Sequence, residues 1–281
     1  MTKVLVTGGA GTLGHHVVTR LVEMGYTARI MSRGHRPAEL LPGMEWVQAN
    51  LETGRGIVEA VDDIDMIVHT ATNLGRAQQV DVDGTRLLMQ KAREAGVAHV
   101  VYISIVGVDR IPFPYYKNKL AVEEMIEQSG IPWSILRATQ FHYLVDLLLR
   151  GMTMFPLVTI VPTDFKGQTI DVSEVAAHLC SAVAAGPSGR LPDLGGPEVL
   201  TLGEMAQTWL KQRGMRRVML PFRVPGKVAQ GFRHGYNTCP EEPTRGSITW
   251  SEWLQRRYGV VTKRVAKNVV SSERGDHASD I

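Results

Sequence analysis

The chain has 281 residues, enough for one large domain or for a main domain with a smaller appendage. Apolar residues make up 44% and charged residues 21%, the balance of a globular protein that buries a core. A net charge of +3 without a dense Lys/Arg run argues against a dedicated nucleic-acid binder, and two cysteines, Cys180 and Cys239, make neither a disulfide framework nor a metal-ligand spacing.

Lys3 to Thr7 is a short apolar, β-branched run, followed by a turn with glycines at Gly8, Gly11 and Gly14 and then by a helical pattern. In a dinucleotide-binding turn the first glycine permits the tight exit from the strand. The second removes a side chain where backbone meets a pyrophosphate, and the third lets the helix pack closely. The helix N-terminus then offers unpaired N–H groups and a positive dipole end to the phosphates. Val17, Val18, Leu21, Val22 and Met24 continue the helix, and Gly25 stops it.

The second strand, Thr27–Met31, ends in Ser32 and Arg33, with Arg36 nearby. A binder of NAD carries an acid at this position for the ribose hydroxyls. Hydroxyl plus cation instead suits a 2′-phosphate, so NADPH is the expected cofactor and NADH the less favoured one. A third strand over Glu45–Gln48 leads to Asn50, whose amide is suited either to an adenine edge or to capping the next helix. A fourth strand, Met66–His69, runs into Thr70 and Ala71, small enough to let a cofactor lie near the backbone. The spacing predicts a helix from Gln78 to Ala95 and a fifth strand, Val97–Ile103, delivering Ser104 to the same edge. The alternation gives an α/β fold, a doubly wound parallel sheet whose ligand crevice lies at the strands' carboxyl ends.

After Ser104 a loop reaches Pro114, which opens a helix carrying Tyr115, Tyr116 and Lys119. Tyr115 and Lys119 stand four apart, on one helical face. An ammonium beside a phenol pulls its pKa down from about 10 and readies it to protonate a developing alkoxide. Ser104 would hydrogen-bond the same oxygen. Spacing leaves open whether Tyr115 or Tyr116 faces the cleft.

The glycine turn, the segment Val82-Asp83-Gly84-Thr85, the strand Val101-Tyr102-Ile103-Ser104 and the Tyr115…Lys119 pair resemble the short-chain dehydrogenase/reductase superfamily. The run from Ile131 to Phe141 is similar to the atypical, NmrA-like, NAD(P)H-binding branch. The resemblance extends to about residue 260 and implies a Rossmann sheet. It implies phosphate contacts at Gly8, Gly11, Thr12, Leu13 and Gly14, and further cofactor contacts at Arg33, Asn50, Thr70, Ala71 and Lys119. It also implies Ser104 and Tyr115 as reductase residues. Asn50 stands where superfamily members usually carry Asp, and Ser104 and Tyr115 lie closer together than in most active relatives.

The later chain predicts an apolar wall over Phe141–Leu149, with His142 more a packing residue than a second acid–base group, and a strand over Gln168–Val172. A helix from Ser173 to Ala185 returns to the cofactor domain. Thr201 and Glu204 form a capping box for a helix to about Arg213, Val218–Leu220 a short strand, and Gly226–Gly235 and Ser251–Tyr258 helical pieces. Trp209, Phe222, Phe232 and Trp250 are expected to supply this half's core or, for some of them, to line the cleft. The domain reading is therefore 1–150 for the cofactor domain (171–185 returning to it), 151–261 for a smaller interleaved substrate-side subdomain, and 262–281 for a mobile tail bearing Lys263, Arg264 and Lys267. Asp146, Arg150 and Pro156 interrupt the most apolar later stretch, so no membrane span is expected. With no signal-peptide pattern, the expected location is cytoplasmic. The functional expectation is an NADPH-dependent reductase of a small or medium apolar carbonyl or related unsaturated compound. The competing classes are a dinucleotide-sensing regulator without turnover and a non-redox isomerase or dehydratase.

Overall fold

The computed structural model describes residues 1–153, 157–239 and 244–259. The expected tail, with Lys263, Arg264 and Lys267, lies outside the described residues.

Six parallel strands form the body of a twisted sheet: β1 (Lys3–Thr7), β2 (Thr27–Ser32), β3 (Met44–Gln48), β4 (Met66–His69), β5 (His99–Ile105) and β6 (Trp133–Ala138). Their spatial order is β3-β2-β1-β4-β5-β6, so the chain reverses direction across the sheet between β1 and β4. Such a reversal opens a crevice at the carboxyl ends of the strands. Short strands at Leu194–Gly195 and Thr244–Arg245 extend the β6 edge, and Gly189–Arg190 also pairs with β6.

Strand alternation sends side chains to two cores. Val4, Val6, Val68, Val101 and Leu136 pack under α1 (Thr12–Glu23) and α6 (Val172–Ala185). On the opposite face Leu5, Ile67, Val100, Tyr102 and Ile135 pack under α2 (Ile57–Val61), α3 (Gly84–Glu94) and α4 (Pro114–Glu127). The sheet is therefore covered on both faces, which is why its central strands read as continuous apolar runs.

A third cluster joins α5 (His142–Gly151) to α7 (Leu202–Gln212) and a helix over residues 250–259. Trp209 and Trp250 are buried there, whereas Phe222, expected in this core, is exposed at the end of the strand Val218–Pro221. Asp146 ties the cluster together. Its buried carboxylate accepts from Trp209 Nε1 at 2.7 Å and Tyr258 Oη at 2.5 Å, with Arg150 and Arg257 alongside. Phe232, on α8 (Lys227–His234), packs in a separate small cluster with Tyr116, Val108 and Ile111.

Three expected elements differ. The first six residues of the helix expected from Gln78 to Ala95 are π-helical, Gln78–Asp83, before regular α3 begins. The fifth strand extends to Ile105, so Ser104 lies inside it. In place of a strand over Gln168–Val172 there is a two-residue strand, Lys166–Gly167, and a single bridge from Ile170 to Phe141. The reason is local: the Asp171 carboxylate accepts from the Ser173 N–H at 2.8 Å and starts α6 at Val172. The capping box at Thr201 and Glu204 is present in both directions.

Candidate cofactor and active site

The glycine turn exits β1 with Gly8 at φ +66°, a left-handed conformation that suits glycine, and the Gly11 N–H bonds back to the Gly8 carbonyl at 2.8 Å. Helix α1 then begins at Thr12 with no side-chain cap and no acidic residue in its first turn. Its leading N–H groups and dipole are thus free to receive an anion. Gly14 meets the turn itself and not the sheet: a Cβ there would lie 2.2 Å from the Gly8 carbonyl oxygen. A Cβ on Gly8 would lie 2.9 Å from Ala71 Cα, so the ends of β1 and β4 touch.

Those ends are also stitched by hydrogen bonds. Thr70 Oγ1 donates to the Thr7 carbonyl at 2.7 Å, and the Thr70 and Ala71 N–H groups both approach Thr7 Oγ1 at 3.2 Å. The Thr7 hydroxyl proton therefore goes to His69 Nδ1 at 2.7 Å, leaving Nε2–H to reach Thr85 Oγ1 at 2.9 Å. Burial holds His69 neutral, with its pKa lowered from 6.5 to about 3, and the nearby Lys119 charge adds to this. Because the folded pKa is depressed, the unfolded chain takes the proton first. Stability is complete above pH 6.5 and falls by roughly 1.4 kcal/mol per unit as pH drops toward 3. Urea unfolding across this range should show the slope in the native protein and a shallower one in His69→Gln; equal slopes would remove His69 as the cause.

At the end of β2, Ser32 Oγ accepts from the Gly34 N–H and the Arg33 carbonyl accepts from Gln48 Nε2, both at 3.2 Å. The Arg33 side chain is exposed and forms no ion pair among the described residues. Asn50 turns its Oδ1 to the Glu52 N–H at 2.9 Å, while Gly56 caps α2. The helix-capping alternative for Asn50 is thereby replaced by a local turn.

Tyr115 and Tyr116 separate at the first turn of α4. Tyr116 is buried against Phe113 and Phe232, with ring centroids 5.6 and 6.5 Å away. Tyr115 points the other way and its hydroxyl lies 2.9 Å from Thr72 Oγ1, just beyond β4. Ser104 Oγ is buried and has no hydrogen-bond partner among the described residues, an orphan that a ligand oxygen would satisfy.

Lys119 corrects the expectation built on spacing. Its ammonium is buried, donates to the Ile103 carbonyl at 2.9 Å and sits 4.4 Å from the centre of the Tyr102 ring. It does not bring the Tyr115 phenol down. Burial pushes Tyr115 up to about 12, with the charge of Asp81 adding to it against the Thr72 hydrogen bond. Burial likewise lowers Lys119 to about 8, opposed by Asp81 and Glu123. His142 takes the packing reading: it is buried, with Nδ1 on Thr169 Oγ1 at 2.8 Å and Nε2 on the Ile248 carbonyl at 3.0 Å.

Sequence reasoning missed Thr72 and Asp81. Thr72 Oγ1 donates to Asp81 Oδ2 at 2.6 Å, and Asp81 Oδ1 accepts from the Asn73 N–H at 2.9 Å. A carboxylate between Val80 and Val82 was the available signal. The π-helical stretch is what turns it inward. Tyr143, on the first turn of α5, was missed as well; its ring stacks on Phe141, and burial raises its hydroxyl's pKa against the opposing effect of Thr12 at the start of α1.

An uncapped α1 N-terminus, a turn in which a Cβ at Gly8 or Gly14 would collide, and an unpartnered Ser104 hydroxyl fit a nicotinamide dinucleotide. Fold and site together define a Rossmann protein of the short-chain dehydrogenase/reductase kind. A sequence model of the family described as NAD(P)H-binding matches residues 8–185, and the chain belongs to that family, an atypical, NmrA-like branch of the superfamily. The "Photosystem II assembly factor Ycf39" of Trieres chinensis is 32% identical over 147 residues, 50% of this chain and 46% of that protein. A "3-beta-hydroxysteroid dehydrogenase" of Mycolicibacterium neoaurum is 34% identical over 148 residues, 44% of this chain and 40% of that protein. Both matches thus span less than half of these relatives' length. Among solved structures, an NADPH-dependent quinone oxidoreductase from Escherichia coli, complexed with NADPH, superposes with a TM-score of 0.74 at 18% identity, covering 91% of this chain and 99% of that one. No helix among the described residues is long and apolar enough to cross a membrane.

Proposed function

We propose that the protein is an NADPH-dependent reductase of a small or medium apolar carbonyl or related unsaturated compound. The observation that carries this reading is Tyr115: a cleft-facing phenol that burial keeps protonated, at about 12, is set to give a proton and not to take one. When bound, the dinucleotide supplies the hydride. Tyr115 protonates the substrate oxygen, and Ser104 donates a hydrogen bond to it. Lys119 spends one N–H on Ile103, which leaves two for a cofactor hydroxyl. The steroid dehydrogenase and quinone oxidoreductase likenesses support an oxidoreductase acting on an apolar substrate.

The test is NADPH consumption over a panel of quinones, enones and aliphatic ketones. Binding of NADPH without oxidation of it by any member, together with a protein partner recovered on the cofactor-loaded chain, would favour a binding role without turnover. That second reading is supported by the likeness to an assembly factor.

Cofactor choice is assigned to Arg33. A charge-assisted bond to the 2′-phosphate contributes about 1.5–3 kcal/mol, so Arg33→Ala should cut the NADPH-over-NADH affinity ratio by roughly ten- to a hundredfold. Paired fluorescence titrations read this directly, and an unchanged ratio would return Arg33 to the solvent.

A further inference from the structure

Asp81 is 2% exposed, an unusual place for a carboxyl, and both of its oxygens are used. One holds the Asn73 N–H and the other holds Thr72 Oγ1 at 2.6 Å; the same Thr72 oxygen meets Tyr115 Oη at 2.9 Å. Two short contacts therefore connect the proposed proton donor to a buried acid, and no fixed site along them requires a water molecule. Lys119 stands apart from the path, on the Ile103 carbonyl.

We infer that Asp81, acting through the Thr72 hydroxyl, is the positioning and proton-resupply residue for Tyr115. This rests on the reductase reading. The balance is simple. The substrate carbon receives hydride from the nicotinamide dinucleotide, and its oxygen takes the proton of Tyr115 Oη. The contacts as they stand, with Thr72 donating to Asp81, are those of the ionised carboxylate; the relay runs in the protonated state, where the Asp81 O–H donates to Thr72 Oγ1 and Thr72 donates to Tyr115. Tyr115 then takes the Thr72 hydroxyl proton, Thr72 takes that of Asp81, and Asp81 regains one from solvent before the next turnover. Nothing but the carbonyl is reduced.

The electrostatics run the same way. Burial pushes the Asp81 carboxyl up from the usual carboxylate range, against the Thr72 bond, the Lys119 charge and the Asn73 N–H. The phenol is pushed up to about 12, so once it has lost its proton it draws one back along the path. The titratable groups facing Asp81 are Lys119 and Tyr115 from α4 and Tyr102 from β5. The cations on its neighbouring turns are turned away, Arg76 to Glu52 and Arg86 to Asp83.

The experiment compares native protein with Asp81→Asn, Thr72→Val and Thr72→Ser. Asp81→Asn and Thr72→Val should lower kcat roughly tenfold or more, with KM for NADPH unchanged, and Asp81→Asn should lose the limb of the kcat profile that falls as the carboxyl ionises. Thr72→Ser, which restores the hydroxyl, should recover the rate. Independently of turnover, near-ultraviolet titration of the phenolate, assigned by difference from Tyr115→Phe, should place Tyr115 lower in Asp81→Asn, where a negative charge has gone. An Asp81→Asn protein with native kcat and pH profile overturns the proposal, as does a Thr72→Ser that behaves like Thr72→Val. Should the native protein turn over no substrate, the reductase reading fails and the proton-resupply role falls with it, and an unmoved Tyr115 overturns the electrostatic coupling to Asp81 as well.

Discussion

Replacing Tyr115 by phenylalanine removes one oxygen and should lower reductive turnover by roughly a hundred- to ten-thousandfold, the usual worth of a positioned general acid. In barrier height that is about 3–5 kcal/mol. The fold should survive, since the ring keeps its place and the hydroxyl's one partner, Thr72 Oγ1, is exposed at the cleft and can turn to water. NADPH affinity should stay native, because the Tyr115 hydroxyl bonds Thr72 and not the glycine turn expected to take the phosphates. The pattern to look for is therefore a lost kcat with intact binding. Tyr116→Phe is the control: its ring is buried against Phe113 and Phe232, away from the cleft, and its rate should be native. Native turnover in Tyr115→Phe would take the proton donor elsewhere, with Tyr143, beside Thr12, the next phenol to examine.

The second large effect belongs to Gly14. An alanine there would set its Cβ 2.2 Å from the Gly8 carbonyl oxygen and 2.7 Å from Gly9 Cα. Neither atom is a flexible side chain, so the start of α1 must move off the turn. Overpacking of this kind costs about 1–3 kcal/mol of stability. The larger loss is expected in binding, because the N–H groups proposed to face the pyrophosphate move with the helix; a displacement near 1 Å is expected to weaken NADPH by roughly a hundredfold. Gly11→Ala separates the two consequences. Its conformation, φ −80° and ψ 174°, is open to any residue, and its Cβ meets only the Gly8 carbonyl at 3.1 Å. Gly11→Ala should unfold near the native urea midpoint, so affinity lost in it measures the cradle and not the fold. If Gly14→Ala binds NADPH natively, the helix N-terminus is not the phosphate site.

How much of this was legible in advance can be read from individual residues. Gly8, Gly11 and Gly14 announced the turn because backbone close approach and positive φ leave a mark in composition. The parallel, doubly wound sheet could be inferred because apolar strands alternating with amphipathic helices have few right-handed solutions. Pro114 fixed the start of α4, and the Thr201–Glu204 pair the start of α7, since caps are local hydrogen-bonding problems with local answers.

Where local rules met a long-range partner, they gave the wrong answer or none. Spacing set Tyr115 and Lys119 on one helical face, and so they are. Only the packed sheet shows that the ammonium goes down to the Ile103 carbonyl while the phenol stays at the rim with Thr72. Phe222 looked like core by its chemistry and is exposed, because the strand that carries it ends at the surface. His142 reads from sequence as more a packing residue than an acid–base group, and the structure gives the packing its partner: the Ile248 carbonyl, just before the last described helix, takes its second nitrogen. The sequence by itself determined the turn, the sheet and the class of ligand, since each rests on neighbours a few positions apart. Tertiary structure alone decided the protonation of the site. A pKa depends on burial and on charges that arrive from distant parts of the chain, here Asp81 and Lys119 around one tyrosine, and no short-range pattern encodes that meeting.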